Sequence, residues 1–181
     1  MRPSLAWLRT RGVWLLLVPF LALARPTPIL LFWGALLTLA GLALRAWAAG
    51  VIRKSRELTT HGPYAYTRNP LYLGSLLLGG GVVLAGGRWF FQLLFLLFFA
   101  VVYGRTIKRE EAHLKARFGE RYREYAARVP PLLPRLTPYR TSDGPEGSAF
   151  SITRYRGNRE YEALLGATAG FAFLIAKMLW M

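Results

Sequence analysis

The chain has no cysteine. That excludes disulfides, thiolate zinc centres, cysteine nucleophiles and S-acylation. Histidine is scarce too, with 2 in 181 residues, so a multi-histidine metal centre is not expected. Charged residues make up 18% of the chain, below the ~25% of ordinary soluble domains. No glycine-rich loop follows a strand pattern, which excludes a dinucleotide-binding fold. What the chain does have is apolar: 54% hydrophobic residues and a mean hydropathy of +0.27, gathered into long uncharged runs. This aliphatic and aromatic content excludes disorder. Acidic residues number 9 against 24 Lys and Arg, a net charge of +15. A basic excess points to nucleic acid or anionic lipid, and its placement along the chain decides between them.

The expected fold class is all-α integral membrane, with about five transmembrane helices. The apolar runs are Gly12 to Ala24, Ile29 to Ala49, Leu71 to Gly87, Trp89 to Gly104 and Ala163 to Met181. A bilayer core takes about 20 apolar helical residues, with about 17 as the lower limit. The first run is short, with Arg9 and Arg11 cutting into it and Pro19 near its centre. A cleaved signal peptide is the competing reading there. Pro26, close behind Ala24-Arg25, disfavours a cut at that point. Pro26-Thr27-Pro28 and Gly86-Gly87-Arg88 make tight turns, and the third run is rich in Gly, Ser and Ala. Small residues let helix backbones approach closely in lipid. Residues 1–140 form the expected core, 141–160 a linker and 161–181 the last span.

All basic residues except Arg25, Arg88 and Lys177 fall on one side of such an arrangement. The positive-inside rule puts that side, with the N-terminus and both long basic segments, in the cytoplasm and the C-terminus outside. In a cell this means a bacterial inner membrane or an endomembrane. The positive charge then serves topology and anionic headgroups, and nucleic acid is not expected as a partner.

Side chains with chemical potential gather in two cytoplasmic segments. The first runs from Glu57 to Tyr72 and contains Gly62-Pro63 and Asn69-Pro70. A residue before proline is pushed toward extended geometry, so this is an irregular loop. It presents Tyr64, Tyr66, Tyr72, His61 and Arg68 beside the membrane. Pro70 suits a first helical turn with Asn69 as its N-cap. The plainer alternative is an interfacial belt of tyrosines with a snorkelling arginine. The second segment continues the fourth span as a helix. Tyr103, Ile107, Leu114 and Phe118 share one stripe at 100° per residue, and Glu110 falls inside it. A carboxylate on an apolar face is costly unless paired, and at membrane depth it is a functional candidate. The alternative is that Glu110 only holds the helix by pairing with an arginine. After the Gly119 break, Tyr122, Tyr125, Ala126 and Val129 share a face of a short amphipathic helix, stopped by Pro130-Pro131. No residue set has metal-ligand spacing, so no metal is expected.

The run Gly62-Pro63-Tyr64, Arg68-Asn69-Pro70-Leu71-Tyr72-Leu73-Gly74 resembles the signature of the isoprenylcysteine carboxyl methyltransferase family. Glu110-Glu111, Phe118-Gly119-Glu120, Tyr122, Tyr125 and Val129-Pro130 resemble its second block. The resemblance covers roughly residues 45–135. Related motifs occur in phospholipid methyltransferases and in some sterol reductases. The resemblance implies a membrane-embedded methyltransferase that uses S-adenosylmethionine. Its cofactor positions fall on Glu57, Leu58, Thr59, Tyr64, Asn69, Pro70, Leu71, Tyr72 and Glu110. Asn69 stands where the family has histidine. The family's substrate-carboxylate arginine aligns nearest to Thr106, with Arg105 adjacent. Arg105 is therefore the expected residue for the acceptor's carboxylate, Arg68 or exposed amides are expected to take the cofactor's carboxylate, and Arg105, Arg68 and His61 are the expected catalytic residues. A carboxylate acceptor arrives ionised and needs no general base, whereas an amine needs one, for which His61 is the candidate. The implied acceptor is lipophilic or lipid-linked, its tail among Leu76, Leu77, Phe95 and Phe98, with a carboxylate favoured. The alternatives are a phospholipid amine N-methyltransferase, an NADPH-dependent reductase on a related scaffold and a non-catalytic membrane scaffold. The oligomeric state is not legible.

Overall fold

The computed structural model describes residues 16–53, 57–140 and 150–181. The basic residues Arg2, Arg9, Arg11, Lys54 and Arg56, and the stretch Thr141 to Gly147, lie outside the described residues. The elements are α1 (residues 16–23), α2 (Pro28–Val51), a 3-10 turn (Gly62–Ala65), α3 (Pro70–Ala85), α4 (Trp89–Arg128), α5 (Ile152–Gly157) and α6 (Tyr161–Trp180). Among the described residues there is no strand.

The helices α2, α4 and α6 are long and apolar enough to cross a membrane. The apolar α3 has 16 residues, just under the about 17 a bilayer core demands. Among the described residues, length and composition support 3 spans; the first of the five expected runs lies partly outside those residues. The shortfall at α3 arises because Asn69-Pro70 starts it and Gly86-Gly87 ends it.

Small residues pack the bundle. A Cβ added to Gly34 would strike the Gly81 backbone, and one on Gly41 would strike the backbones of Gly74 and Leu78. Only hydrogen-sized groups allow α2 and α3 to lie this close. Leu174 of α6 is fully buried with Phe20, Leu31, Ala85 and Phe91. The first residue before α6, Glu160, bonds to Arg45 near the C-terminal end of α2. At the other end of α6, Lys177 Nζ donates to the Leu21 and Ala22 carbonyls at 2.6 Å each. Hence α6 runs antiparallel to α2 and spans the same thickness.

The residues 150–160, placed by the sequence within the linker, carry α5 and dock on the end of α2. Ser151 N donates to the Gly50 carbonyl at 3.0 Å, and Asn158 Nδ2 donates to Ala49 O at 3.0 Å. Arg154 Nε donates to Gly50 O at 2.6 Å. These bonds satisfy carbonyls that a helix end leaves without partners.

The 40-residue α4 continues past the apolar stretch and bends at Gly119, where φ is 54° and ψ −123°. A side chain disfavours that conformation, and glycine does not. Past the bend, Tyr122, Tyr125 and Val129 turn onto the loop and pack with Leu58, Leu114, Phe118 and Tyr139. The face expected from the sequence is thus buried against protein rather than laid on lipid.

Candidate active site

The loop 57–69 is irregular because Gly62, at φ +59°, turns the chain into Pro63. It is held from outside by the segment after α4. Arg68 N donates to Pro130 O at 2.9 Å, Arg135 N to Tyr66 O at 3.0 Å and Tyr139 N to Ala65 O at 2.9 Å. Thr67 Oγ1 donates to Leu132 O at 3.0 Å. Tyr125 Oη donates to Tyr64 O at 2.7 Å. The proline-rich segment 130–139, read from sequence only as a helix stop, is therefore a strap along the loop. Its bonds are largely main-chain, so no side-chain pattern announced it.

Asn69 occupies the N-cap position of α3, as expected, but its side chain makes no capping bond. Its Nδ2 donates to Pro131 O at 2.8 Å instead. The amide that replaces the family histidine thus ties the loop to the strap.

Between the loop, α2, α3 and α4 lies a cavity of about 530 Å³, within the ~300–1,000 Å³ of small-molecule sites. Glu57, Leu58, Thr59, Tyr64, Asn69, Pro70, Leu71, Tyr72 and Glu110 all line it. So does Arg68, while Arg105 and His61 do not. Arg105 is exposed on α4, one position round the helix from Thr106, which lines the cavity and donates to Val102 O at 2.8 Å. Leu76, Leu77, Phe95 and Phe98 also stay off the wall; its apolar part toward the membrane is Leu71, Tyr72, Val102 and Tyr103. Tyr72 and Tyr103 meet edge to face at 5.4 Å, and Tyr103 stacks on Phe99 at 4.3 Å.

Each arginine anchored in the wall between α2 and the loop has a carboxylate. Arg68 Nη2 lies 3.0 Å from Glu111 Oε1, and Arg68 Nη1 donates to Tyr122 Oη at 3.4 Å. The partner of Arg68 is therefore Glu111, which sequence periodicity placed at the margin. Glu110 lines the cavity with its side chain otherwise open to solvent. Glu110 is thus less buried than its place in the apolar stripe predicts, because that part of α4 faces the cavity. Arg53 Nε pairs with Glu57 Oε1 at 3.4 Å. Arg45 and Glu160 form a further pair on the wall. Sequence reasoning counted Arg45 only as a topological charge and did not single out Glu160. The available signal was an arginine well inside an apolar run and an acid just ahead of one.

Several buried polar atoms lack hydrogen-bond partners among the described residues: Tyr64 Oη, Glu57 Oε1, Arg68 Nε, Glu111 Oε1 and His61 Nε2. All but His61 belong to residues on the cavity wall. Glu57 Oε1 and Glu111 Oε1 are held by the ion pairs above, whereas Tyr64 Oη, Arg68 Nε and His61 Nε2 cost stability unless something satisfies them. Burial holds the Tyr64 phenol well above its usual range, with the neighbouring Tyr125 adding to the effect. His61 is held below its ordinary value of 6.5, chiefly by burial and against the pull of Glu57. Among the described residues no cluster of three or more metal-ligating side chains occurs.

The family model for phospholipid methyltransferases matches residues 20–121. The cobalt-zinc-cadmium resistance protein CzcN of Cupriavidus metallidurans is 37% identical over 118 residues, covering 63% of this chain and 53% of that protein. The protein-S-isoprenylcysteine O-methyltransferase of Schizosaccharomyces pombe is 35% identical over 98 residues, covering 52% of this chain and 42% of its own length. The nickel-cobalt-cadmium resistance protein NccN of Alcaligenes xylosoxydans xylosoxydans is 36% identical over 102 residues, 54% of this chain and 46% of that protein. The chain thus spans about half the length of the curated relatives it matches. No solved structure matches it significantly. The family match takes in the cavity wall from Arg45 to Phe118 and leaves out Tyr122, Tyr125 and Glu160. Since it covers more than half of the 181 residues, the chain belongs to the phospholipid methyltransferase family.

Proposed function

We propose that this protein is a membrane-embedded methyltransferase that transfers a methyl group from S-adenosylmethionine to a lipophilic acceptor, with a carboxylate as the favoured methyl-accepting group. One observation carries the reading. The nine residues at the family's cofactor positions, from Glu57 on the loop to Glu110 on α4, line a single cavity. The donor set suits the cofactor. Unpartnered Tyr64 Oη and the Glu57 carboxylate, paired only with Arg53 at 3.4 Å, are acceptors for an ammonium group or ribose hydroxyls, and Glu110 adds a negative charge. The faces of Tyr72 and Tyr103 suit a cation and an adenine ring. Arg68 is engaged by Glu111 through Nη2, and its Nε, which has no hydrogen-bond partner among the described residues, is the donor for the cofactor carboxylate.

When bound, S-adenosylmethionine supplies an electrophilic methyl group on a sulfonium centre. The protein's part is alignment, and oriented reactions gain about 7–11 kcal/mol. The loop, clamped by the strap, and α4 hold the two reacting partners across one cavity. An ionised carboxylate needs no proton removed.

A second reading, methylation of a lipid amine, has one observation in its favour. His113 lines the cavity where His61 does not, and it would serve as the base. The test is methyl transfer from radiolabelled S-adenosylmethionine to long-chain acids and long-chain amines in detergent. A product whose label is released as methanol by mild alkali is an ester and supports the first reading. An alkali-stable product means N-methylation. Absence of S-adenosylhomocysteine binding by calorimetry defeats both.

A further inference from the structure

Arg45 sits inside the apolar helix α2, a position where a charge is costly unless it is paired or functional. Its Nε donates to Glu160 Oε2 at 2.9 Å and its Nη2 to Glu160 Oε1 at 3.0 Å. This is the fork geometry in which a guanidinium grips a planar carboxylate. The remaining nitrogen, Nη1, donates to Ser75 Oγ and, at 3.5 Å, to Leu71 O on α3. Arg45 is thus preset by α3, with one face turned to a carboxylate. The Arg45 side chain is 23% exposed and Glu160 8%, and both line the cavity on its membrane side with Leu71, Ser75 and Val102.

Glu160 comes from the residues just ahead of α6, beyond the family match of 20–121. The residue before it, Arg159, has φ 57°, a left-handed conformation that a non-glycine residue adopts at a cost. The carboxylate is therefore delivered by a strained joint rather than by the body of a helix. The expected anion-handling residues do not compete for this role: Arg105 is off the wall and Arg68 is held by Glu111.

We infer that Arg45 is a specificity-determining residue that selects acceptors by their anionic headgroup, and that the Glu160 carboxylate is its built-in stand-in, displaced when the acceptor's own carboxylate arrives. This rests on reading the cavity as a methyltransferase site. Glu160 then both keeps the buried guanidinium paired and sets a threshold that only a carboxylate of matching shape passes. The uncharged analogue of such an acceptor gains nothing from Arg45.

The experiment measures binding of hexadecanoate and of its methyl ester to the full chain in one detergent, corrected for micelle partitioning. Thermal unfolding and S-adenosylhomocysteine binding are followed in parallel. The unmodified chain should prefer acid to ester. Glu160→Gln keeps the shape and leaves Arg45 unpaired, so hexadecanoate affinity should rise by about tenfold or more while ester affinity stays constant. Should Glu160→Gln fail to fold, the double variant Arg45→Gln with Glu160→Gln carries no lone charge, and its preference for the acid should vanish. Equal binding of acid and ester by the unmodified chain overturns the inference. So does a folded Glu160→Gln protein whose hexadecanoate affinity is unchanged or lower, or a double variant that still prefers the acid. Loss of S-adenosylhomocysteine binding in the unmodified chain defeats the methyltransferase reading instead, while the acid-over-ester comparison still reports on Arg45.

Discussion

A phenol buried without a partner is a liability in the free protein, and Tyr64 carries one on the cavity wall. Leaving such a group unsatisfied costs about 1–3 kcal/mol. Tyr64→Phe should therefore raise the stability of the ligand-free protein by on the order of 1 kcal/mol. It should at the same time shrink the stabilisation that S-adenosylhomocysteine confers, and thermal unfolding with and without ligand reads both. Glu110 offers the complementary case. Glu110→Gln keeps volume and removes charge, and should weaken S-adenosylmethionine binding by about 1.5–3 kcal/mol. Unchanged affinity in a folded variant would make Glu110 a bystander. His61 gives a pH signature. Its folded-state pKa lies below the ordinary 6.5 because burial disfavours the imidazolium. As pH falls through 6.5, the unfolded chain takes up the proton first, so stability declines toward lower pH and is regained above that value. A His61→Gln protein should show a flatter stability profile between neutral pH and the acid side.

At the scale of elements, the decisive feature is the bend in α4. Nothing lies within 4 Å of a Cβ built on Gly119, so any penalty there comes from the backbone alone. Gly119→Ala should cost about 1–3 kcal/mol in thermal unfolding. Straightening the helix would also carry Tyr125 away from the Tyr64 carbonyl, so ligand binding should weaken with it. The bend was legible in the sequence, since Gly119 interrupts a helical stripe. So were the long spans α2, α4 and α6, whose apolar runs leave no other fold class, and the proline-broken loop. The cavity wall from Glu57 to Tyr72 was legible because glycine and proline crowd polar side chains into one turn. Charge pairing was not. Periodicity places a side chain on a face but says nothing of what approaches that face. It therefore favoured Glu110 over Glu111, and could not bring Glu160 to an arginine 115 positions earlier. The strap at 130–139 was hidden for another reason: prolines erase the periodic signal, and main-chain bonds carry no residue code.

For the molecule as a whole, two expectations concern its relation to the bilayer. The distribution of basic residues predicts that the loop and the Gly119 bend face the cytoplasm and Met181 the other side. Single cysteines introduced at positions 62, 119 and 181 of this cysteine-free chain can be probed with impermeant thiol reagents on intact cells. Labelling of position 62 from outside would reverse the orientation. Val102 and Tyr103, on the apolar stretch of α4, line the cavity, so acceptor affinity should grow by about 0.8 kcal/mol per buried CH₂ until the space is filled. Equal turnover of short, water-soluble acceptors would place the substrate in the cytosol. The contact of Lys177 with the Leu21 and Ala22 carbonyls, 156 and 155 positions earlier, bears on biosynthesis. A cation at the open end of a helix is favourable, yet this one emerges from the ribosome long after α1 does. During synthesis the end of α1 therefore waits for α6, and a nascent chain halted before Lys177 would present those carbonyls to lipid headgroups, water or the insertion machinery.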